Sequence, residues 1–177
     1  ISVARHMYAL RLGEVLPHRD LDTLRGIEGA RVKAIYRLMA QKYGIDWEGR
    51  HYDRANPNAT DIPNQAINHA ATAVQAAAAI AVQAVVALPP LGFIHEDSGQ
   101  SFVLDIADLY RETATLHIAF TAAKQAEKSD ETIDRLVRRE AATVFRKQQV
   151  IASMIDSIQR VLRMDEVDHG TGDDRDS

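Results

Sequence analysis

Charged side chains stand in this sequence where helical periodicity calls for carbon. At about 100° per residue, Leu21, Leu24, Ile35, Leu38 and Met39 form one apolar stripe, and Glu28 lies inside it. Gly26 and Gly29 flank that carboxylate, although each costs about 1 kcal/mol relative to Ala inside a helix. Further on, Phe102, Ile106, Leu109, Leu116 and Phe120 form a second stripe, with Asp105 at its edge and Asp108 and Glu112 on the same flank. Neighbouring carboxylates on one helix face repel one another. His95 precedes this segment by a short connector, so an imidazole can meet the carboxylates. Two chemistries fit these residue types. Glu28 pairs with Arg31 or another basic residue and the acids form a solvated flank, or the acids and His95 ligate a divalent cation or act as general bases.

Several other chemistries are excluded. The sequence has no cysteine, hence no disulfide framework, zinc ribbon or thiol nucleophile. His95-Glu96 lacks a second histidine at metalloprotease spacing, and Gly26-x-x-Gly29 is no dinucleotide fingerprint. Neither a Gly-Lys-Ser/Thr phosphate loop nor a strand–Gly-x-Ser-x-Gly–helix context occurs.

Helices must position these residues, since strand-like alternation is scarce. The pattern predicts a helix from Ser2 to Glu14, and a second capped by Asp20 or Asp22 that ends at Gly44. A polar loop spans 45–63. A long alanine-rich helix from Asn64 to Leu88 follows, stopped by Pro89-Pro90. Its small side chains allow close approach by neighbours, which places it at the centre of an all-α domain. Further helices are expected from Ser101 to about Glu127, from a Ser129-Asp130 cap to Lys147, and from Gln148 to Arg163. Residues 92–106 are also compatible with a hairpin around Asp97-Ser98-Gly99.

The 177 residues are 46% apolar and 26% charged, enough for one domain with its own core. The net charge of −4 is concentrated in residues 165–177, which hold six acidic side chains against Arg175. The remainder carries 20 basic and 19 acidic residues, so charge alone neither demands nor excludes nucleic acid. The sequence therefore divides into a helical domain over 1–164 and an acidic, disordered tail over 165–177. No secretion signal opens the chain, and the apolar stretch Ala76–Leu88 is too short to span a bilayer. A cytoplasmic protein without membrane contact is expected, and the start at Ile1 reads as part of something longer.

Two strings carry a family resemblance: Leu24-Arg25-Gly26-Ile27-Glu28-Gly29-Ala30-Arg31-Val32, and Gly92-Phe93-Ile94-His95 followed after six residues by Phe102-Val103-Leu104-Asp105-Ile106-Ala107-Asp108-Leu109-Tyr110. Both closely resemble the CRISPR-associated integrase family, the first Cas protein, in its subtype I-E form. Tyr43-Gly44-Ile45-x-Trp47 and Asn64-Gln65-x-Ile67 match as well, and the resemblance runs from about Tyr8 to Leu162.

The resemblance implies a metal-dependent DNA integrase and endonuclease of CRISPR adaptation. Such an enzyme joins the 3′-OH ends of captured DNA to the CRISPR repeat by transesterification. Glu28, His95 and Asp108 match the family's ligands for Mg²⁺ or Mn²⁺, and Asp105 matches an additional catalytic acid. Arg111 matches a basic position near the DNA. Arg25, Arg31 and Lys33, with the helix face of Arg135, Arg138 and Arg139, are candidate phosphate contacts. The implied partners are double-stranded DNA, a second copy of the protein and a small ferredoxin-fold adaptation protein. The family's β-rich N-terminal domain is absent from this sequence. Gln75 stands where subtype relatives often carry Tyr, and Glu96-Asp97 places negative charge beside His95. The competing expectation is a catalytically silent helical scaffold that binds DNA or partner Cas proteins.

Overall fold

A computed structural model describes residues 2–15, 17, 20–51, 60–95 and 99–169. Among these residues every regular element is helical, as expected. Helix α1 spans Ser2–Leu12, α2 Leu21–Tyr43, α3 Ile62–Ala84 and α4 Ser101–Leu109. A π-helical segment, Arg111–Leu116, joins α4 to α5 (His117–Ala126), and α6 (Ile133–Lys147) and α7 (Val150–His169) complete the order.

Helix α3 is the centre of the domain, because its alanines leave room on every side. Ala66, Ala70, Val74, Ala77, Ala78, Ala81 and Val82 are all buried, and α4, α5, α6, α7 and the π-helical segment pack around them. Leu136, Met154, Ile158, Phe102 and Phe120 supply the volume that α3 lacks. Interdigitating small and large side chains in this way gives close packing without cavities. The helix begins at Asp61, whose carboxylate accepts from Asn64 N–H. It ends earlier than the prolines suggest, because Val86 turns the chain at φ 58°, a left-handed conformation that disfavours β-branched residues.

Helix α2 starts and stops as its sequence predicts, with Asp20 accepting from Thr23 N–H and Gly44 closing the end in a left-handed conformation. Its C-terminal half is fastened by aromatic rings. Tyr36 stacks on Trp47 with centroids 5.5 Å apart, and Trp47 meets Phe120 of α5 edge-on at 5.7 Å. Leu38, expected on the buried stripe, is instead 64% exposed. The N-terminal half carries Glu28 and leans on α1.

Three further expectations change. The predicted helix from Ser101 to Glu127 is interrupted: the carbonyl of Tyr110 accepts from both Ala114 and Thr115 N–H, and the ladder switches to π spacing. Helix α6 begins at Ile133 after Thr132 rather than at Ser129-Asp130, and Ser129 Oγ instead accepts from Glu131 N–H. Helix α7 continues past Asp165 to His169, and the rest of the predicted tail, 170–177, lies outside the described residues. Ser101–Leu109 is helical, which removes the second strand of the alternative hairpin. Residues 52–59 and the proposed turn at 96–98 also lie outside the described residues. Among the described residues no helix is long and apolar enough to cross a membrane.

Replacing Ala78, which is fully buried at the crowded centre of α3, by Leu should cost about 1–3 kcal/mol through overpacking. A thermal melt followed by circular dichroism measures this.

Candidate functional site

Elements distant in sequence bring Glu28, His95, Asp105 and Asp108 together. Glu28 comes from α2, Asp105 and Asp108 from successive turns of α4, and His95 from the connector before it. The connector is tight at Gly92: a Cβ there would stand 1.9 Å from the His95 carbonyl oxygen and 2.3 Å from Ser101 Cβ. Glycine is therefore required for the backbone to fold back against α4.

Asp105 is fully buried, and it organises the connector. One carboxylate oxygen accepts from Phe93 N–H at 2.8 Å and Ile94 N–H at 3.0 Å, and the other accepts from His95 N–H at 3.2 Å. That second oxygen also meets His95 Nδ1 at 2.7 Å. Burial pushes the Asp105 carboxyl up, but the His95 and backbone hydrogen bonds outweigh it and hold the group below its ordinary value. The hydrogen bond to Asp105 raises the His95 pKa, against desolvation, and the negative charge of Asp108 adds to the rise. Asp105 thus orients the ring through Nδ1, and Nε2 stands 3.8 Å from Asp108 Oδ2. With both oxygens engaged by the connector, Asp105 holds the His95 ring in place.

The centre of the site is a residue that the sequence analysis did not single out. Arg11 of α1 donates to Glu28 Oε1 at 2.8 Å and to Asp108 Oδ2 at 2.9 Å, with its side chain only 5% exposed. A signal was available: Arg11 falls on the same α1 stripe as the buried Ala4, Met7 and Tyr8. Glu28 is therefore ion-paired, but with Arg11 rather than Arg31. Arg31 instead pairs with Glu14 and donates to the Leu12 carbonyl, fastening α2 to the end of α1. Arg111 donates to Asp108 Oδ1 at 2.5 Å and stands 3.8 Å from Glu28. Arg11, Glu28, Arg31, Asp108 and Arg111 line a cleft of about 280 Å³.

The other predicted phosphate contacts are more scattered. Arg25 is exposed and 3.5 Å from Asp22, and Lys33 is exposed further along α2. Arg135 and Arg139 pair with Glu131, and Arg138 with Asp134. None of these three α6 arginines lines the cleft. Gln75 is exposed on α3. Gly26 and Gly29 face open space, since a Cβ at either would meet nothing within 4 Å. Among the described residues they make room for no neighbour. A larger groove of about 810 Å³ between the loop after α2 and the α5–α6 corner is lined by Asp46, Glu48, Asp61, Asp130 and Glu131. That lining repels phosphate.

Among the described residues, no group of three or more His, Asp or Glu side chains stands close enough together to hold a metal as placed. Their chemistry nevertheless suits a divalent cation that accepts one nitrogen beside carboxylate oxygens. Arg11 is the internal evidence for that fit, a guanidinium standing where positive charge is required between Glu28 and Asp108.

Fold and site together define an all-α domain with carboxylates and guanidinium groups gathered at one cleft and an imidazole beside Asp108. The chain belongs to the family described as CRISPR associated protein Cas1, which matches residues 3–137. It is 38% identical over 167 residues to the CRISPR-associated endonuclease Cas1 1 of Rhodospirillum rubrum, covering 92% of this chain and 53% of that protein. Similarity to the CRISPR-associated endonuclease Cas1 of Escherichia coli K12 is 36% over 168 residues, covering 94% of this chain and 54% of that one. A crystal structure of a TtCas1–DNA complex superposes with a TM-score of 0.83 at 32% identity, over 92% of this chain and 59% of that chain. The chain thus spans about half the length of the curated relatives it matches.

In metal-free protein, His95 should titrate above the ordinary value of about 6.5. Because its folded pKa is raised, the stability it contributes is complete below the ordinary value and is lost as pH rises through the higher folded one. Asp105→Asn should bring the titration back down, and NMR of the imidazole protons measures both.

Proposed function

We propose that this domain is the catalytic part of a divalent-metal-dependent DNA integrase and endonuclease acting in CRISPR adaptation. Its reaction joins the 3′-OH ends of captured DNA fragments to the CRISPR repeat by transesterification. One observation carries the reading: Glu28 and Asp108, from separate helices, converge on a single positive group, with the His95 imidazole beside Asp108. Strand transfer needs no protein nucleophile, because the attacking group is a hydroxyl of the DNA. That agrees with a site of acids, imidazole and arginines and with a chain that has no cysteine. Membership in a family whose similar proteins are called endonucleases supports the same class of chemistry.

Glu28, His95 and Asp108 would hold Mg²⁺ or Mn²⁺, and such an ion, when bound, lowers the pKa of a hydroxyl and offsets charge on phosphorus oxygens. Asp105 fixes the tautomer that leaves Nε2 free to accept, with Nδ1 donating to its carboxylate. Arg111 and Arg31, at the cleft, would meet phosphate oxygens and orient the backbone without reading sequence. The exposed Arg25 and Lys33 would extend that contact along α2. Arg135, Arg138 and Arg139 would serve only a duplex long enough to reach α6. The proposed partners are double-stranded DNA, a second copy of the protein and a small ferredoxin-fold protein. One domain of near-neutral charge offers few phosphate contacts, so joining several on one duplex raises effective concentration.

His95→Ala and Asp108→Ala should each abolish strand transfer into a repeat-containing duplex, tested in protein assembled with its partners. Helical content by circular dichroism should stay near wild type, because both side chains lie at the edge of the core. Either variant integrating at a rate close to wild type would overturn the ligand set. Calorimetry with Mn²⁺ adds an independent readout, with binding that disappears in Asp108→Ala.

A further inference from the structure

Both terminal nitrogens of Arg11 are committed, one to Glu28 at 2.8 Å and the other to Asp108 at 2.9 Å. The second also stands 3.8 Å from buried Asp105. Its Nε is buried without a hydrogen-bond partner, and the guanidinium lies over the Tyr8 ring, 6.0 Å from its centroid. A guanidinium keeps its proton throughout the physiological range. It therefore neutralises these carboxylates at every relevant pH. A divalent cation drawn to the same oxygens meets a competitor already in place. With the guanidinium between them, no three of the described acids and imidazoles stand close enough to hold an ion as placed. The other Asp108 oxygen accepts from Arg111, so each Asp108 oxygen is met by an arginine.

We propose that Arg11 is the internal counter-ion of the cation site, holding Glu28 and Asp108 apart until a divalent cation displaces it. The inference rests on the cation reading of the site given above. Binding is then an exchange of one cation for another. Carboxylates left without either would repel, and the exchange avoids that state. The cost of moving Arg11 is taken from the affinity of the ion. By linkage, a bound ion weakens the attachment of α1 to α2 and α4 through this residue.

Two measurements test the exchange. Mn²⁺ titration at neutral pH compares wild type, Arg11→Gln and Asp108→Ala, each checked for helical content. Arg11→Gln should bind Mn²⁺ about tenfold or more tightly than wild type. The second measurement needs no substitution. Arg11 of the wild type is modified with 2,3-butanedione, and the site is mapped by mass spectrometry. Its reaction should be slow without metal and about fivefold or more faster with saturating Mn²⁺. This arm decides alone if Arg11→Gln fails to fold. Equal reactivity of Arg11 with and without Mn²⁺, in a wild type that binds Mn²⁺ through Asp108, would overturn the displacement and leave the cation site standing. Absence of Asp108-dependent Mn²⁺ binding in both wild type and Arg11→Gln would overturn the cation site and the exchange together.

Discussion

Two carboxylates on different helices cannot be held near each other in a half-buried site without positive charge between them. The architecture around the cleft follows from that constraint. Arg11 bridges Glu28 and Asp108 from inside, and Arg111 flanks them. The N-terminal half of α2 has few buried apolar residues, Leu24 among them. Its attachment to α1 consequently leans on Arg11–Glu28 and on Arg31 with Glu14 and the Leu12 carbonyl. Such attachments are directional, and they depend on the state of the site. The C-terminal half of the same helix, locked by Tyr36, Trp47 and Phe120, does not share that dependence.

His95 is governed by a different kind of constraint. A connector residue is ordinarily free to move, yet this one is held by backbone. Asp105 gathers three successive N–H groups, those of Phe93, Ile94 and His95, and the imidazole itself. A buried carboxylate is tolerated there because it is fully satisfied. Gly92 lets the loop close on α4. The imidazole is thereby as well placed as a residue on a helix.

Much of this was legible before the structure. The all-α class and the central role of the alanine-rich helix follow from composition and period. Asp20 and Gly44 mark the ends of α2 through local hydrogen bonding alone. Glu28 was visible as a carboxylate in an apolar stripe, and Asp105 and Asp108 as crowded acids. Its partner was not visible, because pairing over 17 residues depends on how α1 packs against α2. The same stripe argument applied to α1 exposes Arg11 beside Met7 and Tyr8. Other features lay beyond periodicity. The end of α3 is set by a strained Val86, and the prolines after it conceal the earlier stop. The π spacing of Arg111–Leu116 leaves the apolar pattern on both sides intact, so nothing local announces it.

That π-helical segment fixes the bearing of the site relative to the core. A helix counts residues as well as turns, and a π turn absorbs one extra residue without breaking the chain's path. Everything upstream is rotated by about 100° against everything downstream, compared with an uninterrupted α-helix. Asp108 and Arg111 can face the cleft while Ile118, Phe120 and Ala122 face the interior, although all belong to one nearly continuous rod. The phase offset is a matter of chain arithmetic, independent of any single side chain. Sequence changes that keep every residue type between 109 and 117 but shorten the stretch by one would swing the acids out of register with Glu28. In this domain, spacing is itself part of the site.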